Sequence, residues 1–210
     1  MMQFLFNGPE GGPVLLLAHG SGAPMDSDFM ERFAELGGEA GIRIVRFEFS
    51  FMAGRRTTGR KRPPPRAEKL MDEFVAAIDA LGSGPVFIGG KSLGGRVASM
   101  IADEQFRRGS ICGLVCLGYP FHPPGKPDAL RTAHLEDLSC PALIIQGEND
   151  PFGKRAEVEA LSLSPTIEFC WCPSGNHDLK PPKRTGLTAE DNWRMAAGAV
   201  FEFMQQQEGK

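Results

Sequence analysis

Short apolar, β-rich runs alternate along the chain with stretches whose apolar positions recur every three to four residues. The runs cover residues 14–18, 42–49, 86–89, 111–117, 142–146 and 166–171, and each reads as a buried strand. Between the second and third, Leu70, Phe74, Ala77, Ile78 and Leu81 fall at helical spacing while Glu68, Lys69, Asp72, Glu73 and Asp79 take other faces, which predicts a core-facing helix. Near the end, Thr188 is followed three residues later by Asp191, a capping-box signal. Trp193, Ala197, Val200, Phe201 and Met204 then share one side of a predicted closing helix. Parallel strands need crossovers that cover the sheet, so this alternation predicts an α/β class: a mostly parallel central sheet of about six to seven strands with helices on both faces.

A length of 210 residues suits one domain, residues 1–210, with a full core. Hydrophobic residues at 41% and charged residues at 23% fit a globular chain and argue against disorder or a fibrous architecture. A formal net charge of -3 gives no general attraction to nucleic acid or anionic membranes, so any basic patch is local. The opening MMQFLFNGPEGG has no basic n-region, and Asn7 and Gly8 interrupt its apolar stretch, which argues against a secretory signal. No window approaches the roughly 20 apolar residues of a membrane span. Five cysteines, odd in number and without the spacing of a zinc site, read as reduced thiols in a cytoplasm. Cys112 and Cys116, evenly spaced in one run, are expected on one face of one strand.

In parallel sheets ligands bind beyond the carboxyl ends of the strands, so the residues after each run carry the interest. After residues 86–89 the chain reads GGKSLGGR, placing Gly90, Ser92 and Gly94 in a G-x-S-x-G pattern at a strand-to-helix turn. Such a turn lifts the serine hydroxyl clear of the sheet, and the flanking glycines leave room for it. A phosphate-cradling loop is disfavoured, because Pro85 stands where the Walker spacing before Lys91 needs glycine.

A serine hydroxyl needs a base to take its proton, and the base works best when a carboxylate fixes its tautomer. The run PALIIQG leads into ENDPFG, offering Asp150 as the carboxylate, and TIEFCWC leads into PSGNHDLK, offering His177 as the base. Glu148 lies nearer the strand end and Asp178 adjoins the histidine, so Asp150 is preferred to both. The chain order Ser92, Asp150, His177 is that of α/β-hydrolases. The backbone amides of Leu93 and Ser21 are the expected oxyanion donors, with Gly22 as the near alternative. His19, in LLLAHGSGAP, is read as a brace for that loop. Tyr119, Phe121 and His122 follow a strand and are expected to wall the pocket.

The motifs GGKSLGGR, AHGSGAP, GEND, GNH and GYPFHPPGKP together resemble a compact α/β-hydrolase-like group. That group includes the vertebrate testis-expressed protein Tex30 and the hydrolase-like region of a chromatin-complex subunit, and is more distantly similar to dienelactone hydrolases. The resemblance covers nearly the whole chain and implies an α/β-hydrolase core without a separate cap domain, with the triad types retained at Ser92, Asp150 and His177. Dienelactone hydrolases use a cysteine nucleophile where this chain has serine, so their lactone substrate does not carry over.

These readings make the chain a serine hydrolase, a carboxylesterase or thioesterase acting on a small acyl substrate, with no metal or organic cofactor and no nucleic-acid or membrane partner. The competing reading is a non-catalytic interaction module that keeps the fold. Residues 55–66, RRTTGRKRPPPR, hold six cations and no acid and read as a long surface loop. Such a loop suits a carboxylate or phosphate on the substrate, or an acidic partner.

Overall fold

The computed structural model describes residues 2–60, 63–82 and 84–208. Among these residues, seven strands form one sheet: β1 (Phe4–Asn7), β2 (Val14–Ala18), β3 (Arg43–Phe47), β4 (Val86–Lys91), β5 (Ile111–Leu117), β6 (Ala142–Gly147) and β7 (Ile167–Cys172). Their order is β1-β3-β2-β4-β5-β6-β7, with β1 antiparallel to β3 and every other pairing parallel. The helices are α1 (Asp28–Glu39), α2 (Ser50–Thr58), α3 (Met71–Leu81), α4 (Leu93–Arg107), α5 (Ala133–Glu136), α6 (Arg155–Val158) and α7 (Ala189–Glu208).

Strand alternation sorts the core into two layers. Leu16 and Ala18 of β2, Ile88 of β4 and Leu114 of β5 face one way and pack with Phe74 of α3 and Val97 and Ile101 of α4. Leu15, Leu17, Phe87 and Val115 face the other way and pack with Phe33 of α1 and Val200 and Met204 of α7. Helices therefore cover both faces, as the alternating pattern requires. The capping box at the start of α7 forms, with Thr188 Oγ1 donating to Asp191 Oδ2 at 2.7 Å and Asp191 N–H donating to Thr188 Oγ1 at 3.2 Å.

Three departures from the sequence pattern have local causes. The run 42–49 ends as a strand at Phe47, because Phe49 N–H is taken by the His19 ring at 3.1 Å and Phe49 caps α2. Cys112 and Cys116 do not share a face. The β4–β5 register slips between Val86 and Phe87, and the extra residue this gives β5 reverses the parity; Cys116 lies in the α4 layer and Cys112 packs against the α7 layer. The basic stretch 55–66 is no continuous loop either: Arg55 to Thr58 close α2, and Arg56 is held by Glu48 at 2.7 Å and Asp26 at 3.0 Å. Lys61 and Arg62, two of its six cations, lie outside the described residues.

The chain passes from β2 to β3 on one side of it and then crosses to β4 on the other. The loops after β2 and β4 thus leave the sheet at a switch in strand order, where a crevice opens.

Candidate active site

Ser92 stands between β4 and α4 with φ 52° and ψ -112°, a backbone conformation that side-chain-bearing residues rarely adopt. The neighbouring glycines permit it. A Cβ on Gly90 would lie 2.5 Å from the Gly94 carbonyl carbon, and one on Gly94 would lie 2.5 Å from the Ala18 oxygen. The tight turn directs the Ser92 hydroxyl to the rim of the sheet. There Ser92 Oγ lies 2.9 Å from His177 Nε2, and His177 Nδ1 lies 2.8 Å from Asp150 Oδ2.

The three side chains come from the loops after β4, β6 and β7, and the last two loops are tied to each other, with Asn149 N–H donating to Gly175 O at 2.9 Å. Asp150 is fully buried; its Oδ1 accepts from Phe152 N–H at 2.8 Å and its Oδ2 accepts from Gln146 Nε2 at 3.0 Å. The His177 loop is tied to α7. Trp193 Nε1–H donates to Asp178 O at 2.8 Å, and Asn192 Nδ2 donates to Leu179 O at 2.7 Å. The Phe152 ring covers the imidazole of His177 at a centroid distance of 4.2 Å. The competing acids have other partners. Glu148 accepts from Ser174 N–H and pairs with Arg155, while Asp178 lies 3.5 Å from Lys91 Nζ.

Leu93 opens α4, so its N–H has no acceptor within the helix and is free to serve a ligand beside Ser92. Ser21 and Gly22, in the loop after β2, line a cavity of about 260 Å³ together with Phe29, Lys91, Ser92, Phe152 and His177. His19 is fully buried and braces this loop. Its Nδ1 bonds Gly20 O at 2.6 Å and its Nε2 accepts from Phe49 N–H, so both nitrogens are committed to backbone. Burial pulls the Lys91 ammonium below the ordinary lysine range, against the opposing influence of Asp178 and Asp150.

The expected pocket wall is corrected. Tyr119 and Phe121 are fully buried in the core, with Tyr119 OH donating to Arg131 O at 2.8 Å. His122 is buried beside a separate cavity with Phe121, Asp128 and Glu157. Gly118, at φ 64°, turns the chain after β5 so that Pro120, and neither aromatic neighbour, lines the larger cavity at Ser92. That cavity, about 570 Å³, is bounded by Ser21, Ser92, Leu93, Arg96, Arg131 and Phe152, with residues 64–68 along one side. Sequence reasoning missed Gln146, Phe152, Arg96 and Arg131. A polar residue closing an otherwise apolar strand run was the one available signal, and it pointed to Gln146. Among the described residues no group of three or more His, Cys, Asp or Glu is arranged to hold a metal ion, and no helix is long and apolar enough to cross a membrane.

Comparison with solved structures finds the same fold repeatedly. A dienelactone hydrolase from Anabaena variabilis superposes with a TM-score of 0.71 at 23% identity, covering 98% of this chain and 92% of that one. An alpha-beta serine hydrolase homologue from Coxiella burnetii gives 0.70 at 17% identity, covering 95% and 91%. The esterase domain of a Rhodothermus marinus protein gives 0.67 at 12% identity, covering 98% of each. Residues 11–205 match the family model described as an alpha/beta hydrolase domain, and the chain therefore belongs to the α/β-hydrolase family.

Proposed function

We propose that the chain is a serine hydrolase that cleaves an ester or thioester of a small acyl substrate. The observation that carries this reading is the continuous relay from Ser92 Oγ through both nitrogens of His177 to Asp150, with steps of 2.9 and 2.8 Å. With Nδ1–H donated to the Asp150 carboxylate, Nε2 is left as the acceptor for the serine proton. Ser92 Oγ attacks the carbonyl carbon as its proton passes to His177. The amides of Leu93 and Ser21 stabilise the oxyanion, and the imidazolium then protonates the leaving alcohol or thiol. Water, deprotonated by the same histidine, releases the acid and restores Ser92. No step needs a metal or organic cofactor.

The solved structures of similar fold include a serine hydrolase homologue, an esterase domain and a dienelactone hydrolase, which accords with this chemistry. The finer kinship with the Tex30 group rests on the motifs GGKSLGGR and GYPFHPPGKP. We take residues 1–210 as a single α/β-hydrolase domain and place it in a cytoplasm, where its five free thiols stay reduced.

A fluorophosphonate probe tests the reading directly. The unsubstituted protein should be labelled at Ser92, and Ser92→Ala should not. Short-chain nitrophenyl esters should be cleaved, with turnover lost in His177→Ala. Labelling that persists in Ser92→Ala overturns the assignment, and inertness to ester, thioester and amide panels favours the interaction module.

A further inference from the structure

The larger cavity at Ser92 carries an unbalanced positive charge. Arg66, Arg96 and Arg131 all line it, and among the described residues Glu68 is its one carboxylate. Glu68 Oε1 reaches Arg96 Nη2 at 3.3 Å, leaving Arg96 Nε buried with no hydrogen-bond partner. No carboxylate among the described residues pairs with Arg131. Its backbone is nevertheless fixed on both sides: its N–H donates to Phe121 O at 2.8 Å, and its carbonyl accepts from the buried Tyr119 hydroxyl. A half-buried arginine on a backbone anchored at both its N–H and its carbonyl, sharing a cavity with a second arginine and with no counter-charge of its own, is the arrangement that a bound anion completes. Burial, with the Arg96 charge adding to it, pushes Arg131 below the ordinary arginine range, and the same two causes in the same order lower His134.

We propose that Arg96 and Arg131 form an anion subsite, and that the substrate is an ester or thioester bearing a compact oxyanion, carboxylate or phosphate, a few bonds from the scissile carbonyl. This rests on the serine-hydrolase reading and specifies its substrate class. Arg96 follows Ser92 by four residues, about 6 Å along the helix, so the anion and the carbonyl are separated by a short spacer. The planar forks of two arginines suit an oxyanion better than a neutral polar group. The signal in residues 55–66 is thereby relocated: among the described cations of that stretch, Arg66 is the one that lines the cavity.

The test compares 4-nitrophenyl hemiglutarate with 4-nitrophenyl butyrate, which share a four-carbon acyl chain and differ in the carboxylate added at its end. The ratio of their kcat/KM values should favour the hemiglutarate by about tenfold or more, the size expected for a hydrogen bond to a charged group. Arg131→Gln and Arg96→Gln should each bring that ratio towards one, and Arg131→Lys should keep part of it. Arg107→Gln, on the exposed end of α4 and paired with Glu104, should leave the ratio as it is. Inhibition by glutarate against inhibition by methyl phosphate separates the carboxylate source from the phosphate source.

Butyrate cleavage through Ser92 without hemiglutarate preference, and without inhibition by either anion, overturns the subsite while the hydrolase reading stands. Should no ester be cleaved, calorimetry with glutarate and methyl phosphate still decides. Saturable binding that Arg131→Gln abolishes, in a variant whose circular dichroism is unchanged, supports the subsite, and absence of binding by the unsubstituted protein overturns it.

Discussion

Gln146 Nε2 lies 3.0 Å from Asp150 Oδ2, the same oxygen that receives His177 Nδ1. The amide of Gln146 also accepts from Tyr119 N–H at 2.8 Å and reaches Tyr119 O and Gly153 O, each at 3.2 Å. One fully buried side chain thus ties the loop after β5 to the loop that carries Asp150. Gln146→Leu removes these bonds and leaves Tyr119 N–H without a partner. A loss of about 1–3 kcal/mol in urea unfolding is expected, together with a lower kcat at little-changed KM.

Asp150→Asn presents an amide where a carboxylate receives three donors. The new NH₂ meets the donors of Gln146 and His177, which favours the tautomer with the proton on Nε2. Turnover is expected to fall by roughly 10⁴-fold while far-ultraviolet circular dichroism stays unchanged. A kcat within tenfold of the unsubstituted protein counts against the role given to Asp150.

Gly94→Ala places a methyl 2.5 Å from Ala18 O and 2.7 Å from His19 O, both backbone atoms that cannot rotate away. Overpacking of this kind costs about 1–3 kcal/mol or more, and here it also displaces the serine turn. The midpoint of urea unfolding and the rate of fluorophosphonate labelling should fall together.

Stability should decline in mild acid. Burial, the largest influence on His19, holds its folded-state pKa below the ordinary 6.5, and His134 is depressed for the same reason. Below pH 6.5 the unfolded chain binds protons that the folded chain refuses, so this contribution is complete above 6.5 and is lost as the pH falls through the folded-state values. Urea unfolding at about pH 5, 6 and 7 should show stability rising with pH, with a shallower slope in His19→Asn. An identical slope in the variant shows that His19 is not a source of the effect.

Much of the site could be read before any fold was known, because a parallel sheet brings the ends of its strands to one rim. Ser92, Asp150 and His177 each follow a strand whose apolar run stands out, so their convergence was a matter of topology. What stayed hidden depends on direction rather than position. Tyr119 and Phe121 follow a strand as expected, yet the left-handed turn at Gly118 sends them into the core. Phe4–Asn7, a short edge strand with Phe6 exposed, is cut off at Asn7 before its apolar run is long enough to stand out. The last turn of α1 holds Gly37 and Gly38 before Glu39; a Cβ on Gly38 would lie 2.9 Å from Gly8 Cα, so close packing of two backbones sets that choice. Arg131 sits in a stretch without periodicity, and nothing in its spacing connects it to Ser92.

The two cavities at Ser92 share Ser21, Ser92 and Phe152 and, among the described residues, no other lining residue. Ser92 therefore borders two chambers, one lined by Arg66, Arg96 and Arg131 and the other by Phe29, Met30, Lys91 and Asp178. Either half of a cleavable molecule can be enlarged or trimmed against its own walls, so selection, natural or in the laboratory, can retune acceptance of the acyl portion and of the departing portion as separate traits.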